Sequence, residues 1–263
     1  MLFAGIDIGS LTAEAVIIES GEIVGSEIIS VLPNPVDSAK SVLGKLLSRA
    51  GLCREQIAYT VSTGYGREKI QAEGLADENM SEISCHGFGA YHYNPDVRTV
   101  IDIGGQDAKV IKIDRDGKLL NFVMNDKCAA GTGQFLEVMS RALGVDLNQL
   151  GEISLRSRKP VPLSSRCTIY AETEVMHCLQ RGVPKNDIAA GISGAIAKRV
   201  AALVKRVGIE PPIMITGGVA KNAAVRREIE KELEVNIIYP NIDPQIIGAY
   251  GAAAFAMQKA GKV

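Results

Sequence analysis

The sequence predicts an α/β protein with mixed β-sheets flanked by helices, built from a duplicated unit. Stretches rich in β-branched residues alternate with helical patterns along the chain, as is typical of this class. The segment GIDIGSLTAEAVII also lies over VIDIGGQDAKVIKI without a gap, which aligns Asp7 with Asp102 at an offset of 95 residues (102 − 7). The 263 residues, 46% hydrophobic and 22% charged, suffice for one large or two smaller folded domains.

The first copy of the repeat predicts three strands and a helix. The stretch LFAGIDIGSLTAEAVIIESGEIVGSEIIS contains three β-rich runs, separated by a turn at Gly9-Ser10 and a hairpin at Ser20-Gly21-Glu22. Helical spacing in VDSAKSVLGKLLSRAGL predicts a helix that ends at Gly51. A strand in IAYTVSTGYG and a mostly helical stretch follow, until Asn94-Pro95 marks a break.

The second copy repeats the strands and then extends into a longer helical region. After its hairpin we expect helices at about 132–144, 168–181 and 186–207, with a Pro/Ser/Arg-rich stretch, LRSRKPVPLSSRCT, before the second of them. A strand in PIMIT, a helix in GVAKNAAVRREIEKEL, a strand in VNIIY and a helix in GAYGAAAFAMQKA complete the chain. We therefore predict domains at 1–95 and 96–244, with the final helix, about 245–263, packing back on the first.

Charge and hydropathy exclude several classes of protein. The 29 basic and 30 acidic side chains nearly cancel, which argues against nucleic acid or an anionic membrane as a partner. The start MLFAGIDIGS lacks a basic region before its apolar run, and the sequence has no uncharged apolar stretch of 18 residues. The five cysteines form no CxxC pair, so neither a disulfide framework nor a self-contained zinc site is expected. These features predict a cytoplasmic protein that binds small ligands or proteins.

The repeated Asp-Ile-Gly turns predict a nucleotide site. In DIGS, Asp7 is placed to hold a water of Mg²⁺, and Ser10 and Thr12 offer hydroxyls and amides to phosphate oxygens. In DIGGQD, Asp102 repeats the carboxylate, Gly104 and Gly105 permit close phosphate approach, and Gln106 is placed to orient an attacking water.

A third glycine turn, TGGVAKN, follows a short buried strand and opens a helix. Gly217 and Gly218 leave flat backbone for an adenine or a ribose, with Lys221 nearby. One such turn is usually an ordinary hairpin or bulge, but two in register and a strand-GG-helix behind them favour nucleotide binding. The sequence contains neither GxxxxGK[ST] nor a strand-linked GxGxxG, which disfavours P-loop and Rossmann folds.

At these residues the chain resembles the actin/Hsp70/sugar-kinase superfamily, in which two RNase H-like domains close on Mg-ATP. The motifs GIDIGS, STGYGRE, SEISCHGFGA, VIDIGGQDAKVI, NDKCAAGTGQFLEVM, SSRCTIYAETEV and TGGVAKN occur in the order typical of the BadF/BadG/BcrA/BcrD ATPase family. That family contains activators of 2-hydroxyacyl-CoA dehydratases and the ATP-hydrolysing subunits of benzoyl-CoA reductase. The resemblance covers essentially the whole chain.

The resemblance implies ATP-driven electron transfer. Family members are homodimers with one 4Fe-4S cluster shared between the subunits, and the family's cluster cysteines match Cys128 and Cys167. They bind ATP or ADP with Mg²⁺, for which Asp7 and Asp102 are the matching carboxylates. An electron passes from ferredoxin or flavodoxin, through the activator, to a separate 2-hydroxyacyl-CoA dehydratase.

Elementary chemistry agrees with a shared cluster. Two thiolates per chain cannot supply four ligands, whereas a two-fold dimer doubles them. Cys128 is expected at the start of a helix beside Lys127, and Arg166 adjoins Cys167, so both cysteines have cationic neighbours.

The remaining histidines and cysteines have no functional assignment. Cys85 and His86 in SEISCHG are expected to pack within a helix, and Cys53 and Cys178 carry no functional motif.

One departure from the family concerns the first turn. Relatives commonly carry lysine where this chain has Glu14, and a small residue where it has Leu11. We still expect the segment 10–14, including Ala13, to line the nucleotide, with Lys109 as the counterpart of Glu14 in the second copy. Gln245 is a further candidate for the adenosine.

Three alternatives stay open. A benzoyl-CoA reductase-type ATPase subunit is the nearest. A small-molecule kinase of the same fold would need a substrate cleft and a catalytic acid. A chaperone-like or filament-forming ATPase would leave the paired cysteines without a use.

Overall fold

The computed structural model describes residues 1–163 and 167–261 and contains two five-stranded sheets. The strands are β1 (Leu2–Ile8), β2 (Thr12–Glu19), β3 (Glu22–Ser30), β4 (Ile57–Gly64), β5 (Glu78–Asn79), β6 (Thr99–Ile103), β7 (Ala108–Ile113), β8 (Leu119–Asn125), β9 (Ile213–Thr216) and β10 (Ile237–Ile238). The α-helices are α1 (Pro35–Ala50), α2 (Arg67–Ala72), α3 (Glu82–Tyr93), α4 (Gly133–Leu143), α5 (Leu147–Leu155), α6 (Thr168–Gln180), α7 (Lys185–Val207), α8 (Ala223–Leu233) and α9 (Ile247–Ala260). Short 3-10 turns occupy Arg54–Gln56, Gly218–Lys221 and Pro244–Ile246.

The chain folds into two compact units. The first comprises Met1–Val100, Ile111–Asn121 and the chain from Pro240 onward, and the second comprises Ile101–Val110 and Phe122–Tyr239. The domain bounds given by the sequence, 1–95 and 96–244, stay a prediction.

The two sheets have the same topology. The first has the order β3-β2-β1-β4-β5, and the second has the order β8-β7-β6-β9-β10, which is the first with five added to each strand number. In the first sheet β1 runs antiparallel to β2 and parallel to β4. The duplication therefore extends past the aligned hairpins to β4 and β9, which were not matched from the sequence.

Both faces of the first sheet are buried, which explains its nearly continuous apolar strands. Alternate residues of β1 and β2 point to opposite sides because the side-chain period of a strand is two. Ala4, Ile6 and Ile17 pack with Leu43 and Leu46 of α1. On the other face Phe3, Val16 and Ile18 pack with the alanines of α9.

The second unit is built around one large apolar core. Ile101 and Ile103 of β6 and Ile215 of β9 lie in it with Phe135 and Met139 of α4. Helix α7 contributes a buried face of small and branched residues, so α4 and α7 both cover this sheet.

Several helix ends follow from local chemistry. Helix α1 begins after Asn34, whose side chain accepts from the Val36 amide (3.0 Å), and ends at Gly51 in the left-handed region (φ 66°). The helix predicted over 218–233 is instead divided, because the Asn222 side chain caps a new helix by accepting from the amides of Ala224 and Val225. Helix α5 and the two-residue strand β5 were not predicted. No helix in the described part of the chain is long and apolar enough to cross a membrane.

Candidate nucleotide turns and cysteine loop

The two Asp-Ile-Gly turns have the same backbone geometry. The Gly9 amide donates to the Thr12 carbonyl oxygen at 3.0 Å, and the Gly104 amide donates to the Asp107 carbonyl oxygen at 3.0 Å. Each pair of positions is related by the offset of 95 found in the sequence. The duplication thus preserves the turn as well as the strands.

A glycine from the neighbouring strand covers each strand-end aspartate. Gly64 at the end of β4 has φ 80°, and a Cβ there would lie 2.4 Å from the Ile8 carbonyl oxygen and 2.5 Å from Asp7 Oδ1. Gly217 after β9 has φ 84°, and its Cβ would lie 2.4 Å from the Ile103 carbonyl oxygen and 2.9 Å from Asp102 Oδ1. Only glycine fits both the backbone conformation and the space at these two positions.

At the first turn, Asp7 is surrounded by polar groups from distant elements. It is buried at the end of β1 and lies opposite Glu14 in the β1–β2 register. The Nε2 atom of His86 in α3 lies 3.8 Å from Asp7 Oδ2 and 4.0 Å from Glu82 Oε1. His86 was expected only to pack within its helix, but the structure places it against the predicted Mg²⁺ carboxylate.

Gln245 lies at this turn as well. Its Nε2 donates to Thr12 Oγ1 at 2.9 Å and to Glu14 Oε1 at 3.2 Å. Glu14 and Ala13 are buried in β2, whereas Ser10, Leu11 and Thr12 are half-buried at the turn. The adenosine role of Gln245 stays a prediction, and in the structure its side-chain amide has two partners at the first turn.

At the second turn, Asp102 accepts hydrogen bonds from two side chains of its own unit. Thr216 Oγ1 donates to Asp102 Oδ1 at 2.8 Å, and Lys109 Nζ donates to Asp102 Oδ2 at 3.3 Å and to Asp107 Oδ1 at 2.8 Å. All four side chains are buried, Lys109 being only 1% exposed. The Lys109 ammonium, which was considered for the phosphates, thus contacts two carboxylates of its own turn.

The other predicted nucleotide residues of the second unit differ in exposure. Gln106 is exposed on the turn, and Gly104 and Gly105 are half-buried. Gly217 and Gly218 follow β9 as predicted, and Lys221 is exposed at the end of the 3-10 turn. Arg226, which was not singled out from the sequence, donates to the Ala220 carbonyl oxygen and lies 4.0 Å over the Tyr239 ring.

Cys128 lies in the loop between β8 and α4, which we call the cysteine loop (126–132). Asn125 Nδ2 donates to the carbonyl oxygens of Cys128 (2.9 Å) and Ala130 (3.4 Å), and Thr132 Oγ1 donates to Ala129 (2.7 Å). Helix α4 begins only at Gly133. The expectation that Cys128 starts a helix is therefore wrong, because the loop closes on itself through these bonds before the helix begins.

Cys167 occupies the position that was predicted for Cys128. It is the N-terminal capping residue of α6, with extended backbone (φ −149°, ψ 135°). Both cysteines are half-buried free thiols. Arg166, considered as the cationic neighbour of Cys167, lies outside the described residues.

The cysteine loop is tied to the second turn through the start of α4. The Gly133 amide donates to the Gly104 carbonyl oxygen at 2.9 Å, and the Gln134 amide donates to the Gly105 carbonyl oxygen at 2.8 Å. The first amides of a helix have no partner within the helix, so these bonds satisfy them. A movement of the Gly104-Gly105 backbone would therefore move the end of the cysteine loop.

The other cysteines have ordinary environments. Cys85 is fully buried in α3, and burial raises the pKa of its thiol well above its usual value. Cys178 of α6 is half-buried against the core of the second unit, and Cys53 is exposed.

Comparison with known proteins identifies relatives over nearly the whole chain. The family model described as the BadF/BadG/BcrA/BcrD ATPase family matches residues 4–256. The 2-hydroxyisocaproyl-CoA dehydratase activator of Clostridioides difficile is 48% identical over 99% of this chain and 96% of the relative. The (R)-2-hydroxyglutaryl-CoA dehydratase activating ATPase of Acidaminococcus fermentans is 46% identical over 98% of each chain.

A solved structure supports the same relationship. The activator of the 2-hydroxyisocaproyl-CoA dehydratase from Clostridium difficile with bound ADPNP superimposes with a TM-score of 0.94 and is 46% identical. The superposition covers 100% of this chain and 96% of the other. The predicted fold, an α/β actin-like ATPase fold with two mixed sheets flanked by helices, is confirmed.

Proposed function

Because the chain belongs to the BadF/BadG/BcrA/BcrD ATPase family, we propose that it is an ATP-hydrolysing activator that delivers a low-potential electron to a 2-hydroxyacyl-CoA dehydratase. The names of the two relatives described above support a dehydratase as the partner. Ferredoxin or flavodoxin is the proposed electron donor, and the cytoplasm is the proposed location.

ATP or ADP with Mg²⁺ is the proposed ligand of the glycine turns. The ADPNP bound to the related activator supports a nucleotide site of this kind. The buried carboxylates of Asp7 and Asp102 are hard oxygen donors, which suit Mg²⁺ and its waters. Backbone amides near Ser10 and Gly105 are proposed to meet phosphate oxygens, and Gln106 is exposed on its turn, where it can reach a water.

A 4Fe-4S cluster is the proposed electron carrier, held by Cys128 and Cys167 of each of two subunits. The donor set fits, because both are half-buried free thiols of the second unit and a homodimer would bring the number of thiolates to four. When bound, such a cluster accepts and releases one electron at a potential that the surrounding protein adjusts. The chain's own part is to hold the two thiolates and to control their surroundings.

The observation that carries this proposal is the pair of hydrogen bonds from Gly133 and Gln134 to Gly104 and Gly105. A phosphate that accepts hydrogen bonds from the amides of Gly105 and Gln106 would shift the two peptide groups that carry the Gly104 and Gly105 carbonyl oxygens. Their carbonyl oxygens would then pull on the first turn of α4, which directly follows the cysteine loop. Nucleotide state would in this way alter the surroundings of Cys128, where hydrogen bonds and exposure set the potential of a cluster.

Metal analysis after oxygen-free purification tests the cluster ligands. We expect about two iron and two sulfide per chain in the unaltered protein, and Cys128→Ala or Cys167→Ala to lose them while Mg-ADP still binds. Cys178→Ala is the matched control, because Cys178 is a half-buried thiol of α6, the helix that Cys167 caps, and its replacement is expected to leave the iron content unchanged.

Two results would contradict the assignment. A complete cluster in Cys128→Ala would exclude that residue as a ligand. An unaltered protein that binds nucleotide but no iron would favour a kinase or a chaperone-like ATPase of the same fold.

A further inference from the structure

Because the unit is duplicated, the side chains that contact Asp102 at the second turn can be compared with those around Asp7 at the first. At the second turn, Asp102 receives a hydrogen bond from Lys109, which lies two residues beyond Asp107 on the adjacent strand β7. The offset of 95 places Glu14 at the position of Lys109. Glu14 lies directly opposite Asp7 in the strand register and is buried. A carboxylate at this position cannot act toward Asp7 as the lysine acts toward Asp102.

The threonines of the two units also differ. Thr216 donates its hydroxyl proton to Asp102, whereas Thr63, which pairs with Asp7 across the parallel strands, donates to the Met80 carbonyl oxygen at 3.0 Å. Both groups that hold Asp102 in the second unit are therefore replaced or redirected in the first.

His86 of α3 lies beside the Asp7 carboxylate. Its Nε2 atom is within ion-pair distance of both Asp7 Oδ2 (3.8 Å) and Glu82 Oε1 (4.0 Å), and Glu82 lies one turn earlier on the same helix. His86 is only 5% exposed, so water screens these contacts little.

Helix α9 packs against both Asp7 and His86 through Gly248. A Cβ at Gly248 would lie 2.2 Å from Asp7 Oδ2 and 2.8 Å from His86 Nε2. Glycine is therefore required here for α9 to approach both groups. The backbone of α9 thus packs closely against the Asp7 carboxylate and the His86 imidazole.

We propose that His86 is the positioning residue of Asp7, and that it takes at the first turn the part that Lys109 takes at the second. This inference rests on the proposed function, in which Asp7 serves Mg-nucleotide binding. A histidine that only fills space would not depend on which of its nitrogen atoms is reproduced by a replacement side chain.

The test compares two amides. Glutamine at position 86 can carry an N–H to the place of Nε2, whereas asparagine reaches only the place of Nδ1. Calorimetry should show that His86→Asn binds Mg-ADP about 10-fold more weakly, with ATPase kcat lowered about 10- to 100-fold, and that His86→Gln retains most of both, as expected for groups that orient a ligand. Binding of ADP in EDTA should change much less. His92→Asn, which removes the other histidine of α3, is the control and is expected to bind like the unaltered protein.

Rescue by a second substitution tests the proposed equivalence to Lys109. Glu14→Lys restores the arrangement of the second turn, so it should recover most of the Mg-ADP affinity in His86→Asn. Equal binding by His86→Asn and His86→Gln, or no recovery on adding Glu14→Lys to a folded His86→Asn, would overturn the inference. If the unaltered protein itself fails to bind Mg-ADP, the proposed function fails instead, and the iron content of the His86 variants is expected to be normal in either case.

Discussion

The two Asp-Ile-Gly turns share a backbone and differ in the groups that hold their aspartates. At the second turn, Lys109 and Thr216 contact Asp102 directly and come from β7 and β9, the strands on either side of β6. At the first turn, the groups near Asp7 and Glu14 include His86 and Gln245, which come from α3 and from the 3-10 turn before α9. The duplicated backbone therefore fixes where the carboxylate lies, while the polar groups around it have diverged.

The two turns also differ in what they connect to. The second turn accepts hydrogen bonds from the first amides of α4, and so is joined to the cysteine loop. The first turn is joined instead to the residue that follows β3, because the Val31 amide donates to the Leu11 carbonyl oxygen at 3.0 Å. Of the two turns, the second is thus the one through which nucleotide binding can change the surroundings of Cys128.

Replacement of Lys109 is expected to lower the free energy of unfolding more than any other substitution compared between the two turns. Lys109→Met removes a buried ammonium that contacts two buried carboxylates, and breaking such a pair typically costs about 3–5 kcal/mol of unfolding free energy. The matched change at the first turn, Glu14→Met, removes one of two carboxylates that face each other and loses a hydrogen bond to a carboxylate worth about 1.5–3 kcal/mol, so we expect a smaller loss. Urea unfolding of both variants measures the difference, and equal losses would show that the two turns are held alike.

Replacement of the two threonines is expected to lower the free energy of unfolding by less, with the larger loss again at the second turn. Thr216→Val removes a buried hydrogen bond to a carboxylate, worth about 1.5–3 kcal/mol, whereas Thr63→Val removes one to a backbone carbonyl, worth about 1 kcal/mol. Because Thr216 holds Asp102, its loss should also weaken Mg-ADP binding, and loss of Thr63 should not. Thermal unfolding and calorimetry together measure both effects. An equal loss of nucleotide affinity in the two variants would place Thr63 at Asp7 and contradict the comparison.

Local patterns explain which parts of this arrangement were predictable from the sequence. The three strands and turn of each copy follow from short runs rich in apolar and β-branched residues and from the repeated Asp-Ile-Gly, which are encoded in about 30 consecutive residues. The partners of the turns are not local. Gln245 lies 231 residues from Glu14, and Thr216 lies 114 residues from Asp102. The spacing of Glu82 and His86, one helical turn apart, was the available signal for the group that faces Asp7.

At the cysteine loop, even a short-range feature, the start of a helix, could not be predicted from the sequence pattern. The sequence predicts the start of a helix at Cys128 in NDKCAAGTG, but the side chains of Asn125 and Thr132 donate to carbonyl oxygens of the loop and the helix begins only at Gly133. Likewise, Asn222 divides a segment that reads as one helix, because its side chain caps the amides that follow. In both cases a polar side chain competes with the helix for backbone groups, and periodicity alone does not reveal which prevails.

Hydrogen exchange with and without Mg-ADP most directly tests whether the second turn is coupled to the cysteine loop. The amides of Gly133 and Gln134 report the two bonds to Gly104 and Gly105, and peptides across 126–134 report the loop. We predict that Mg-ADP changes amide exchange at 104–107 and at 126–134 together. Amide exchange at 31–33, next to the first turn, is not expected to change together with that of the cysteine loop. Altered exchange at 104–107 with unaltered exchange at 126–134 would contradict the account.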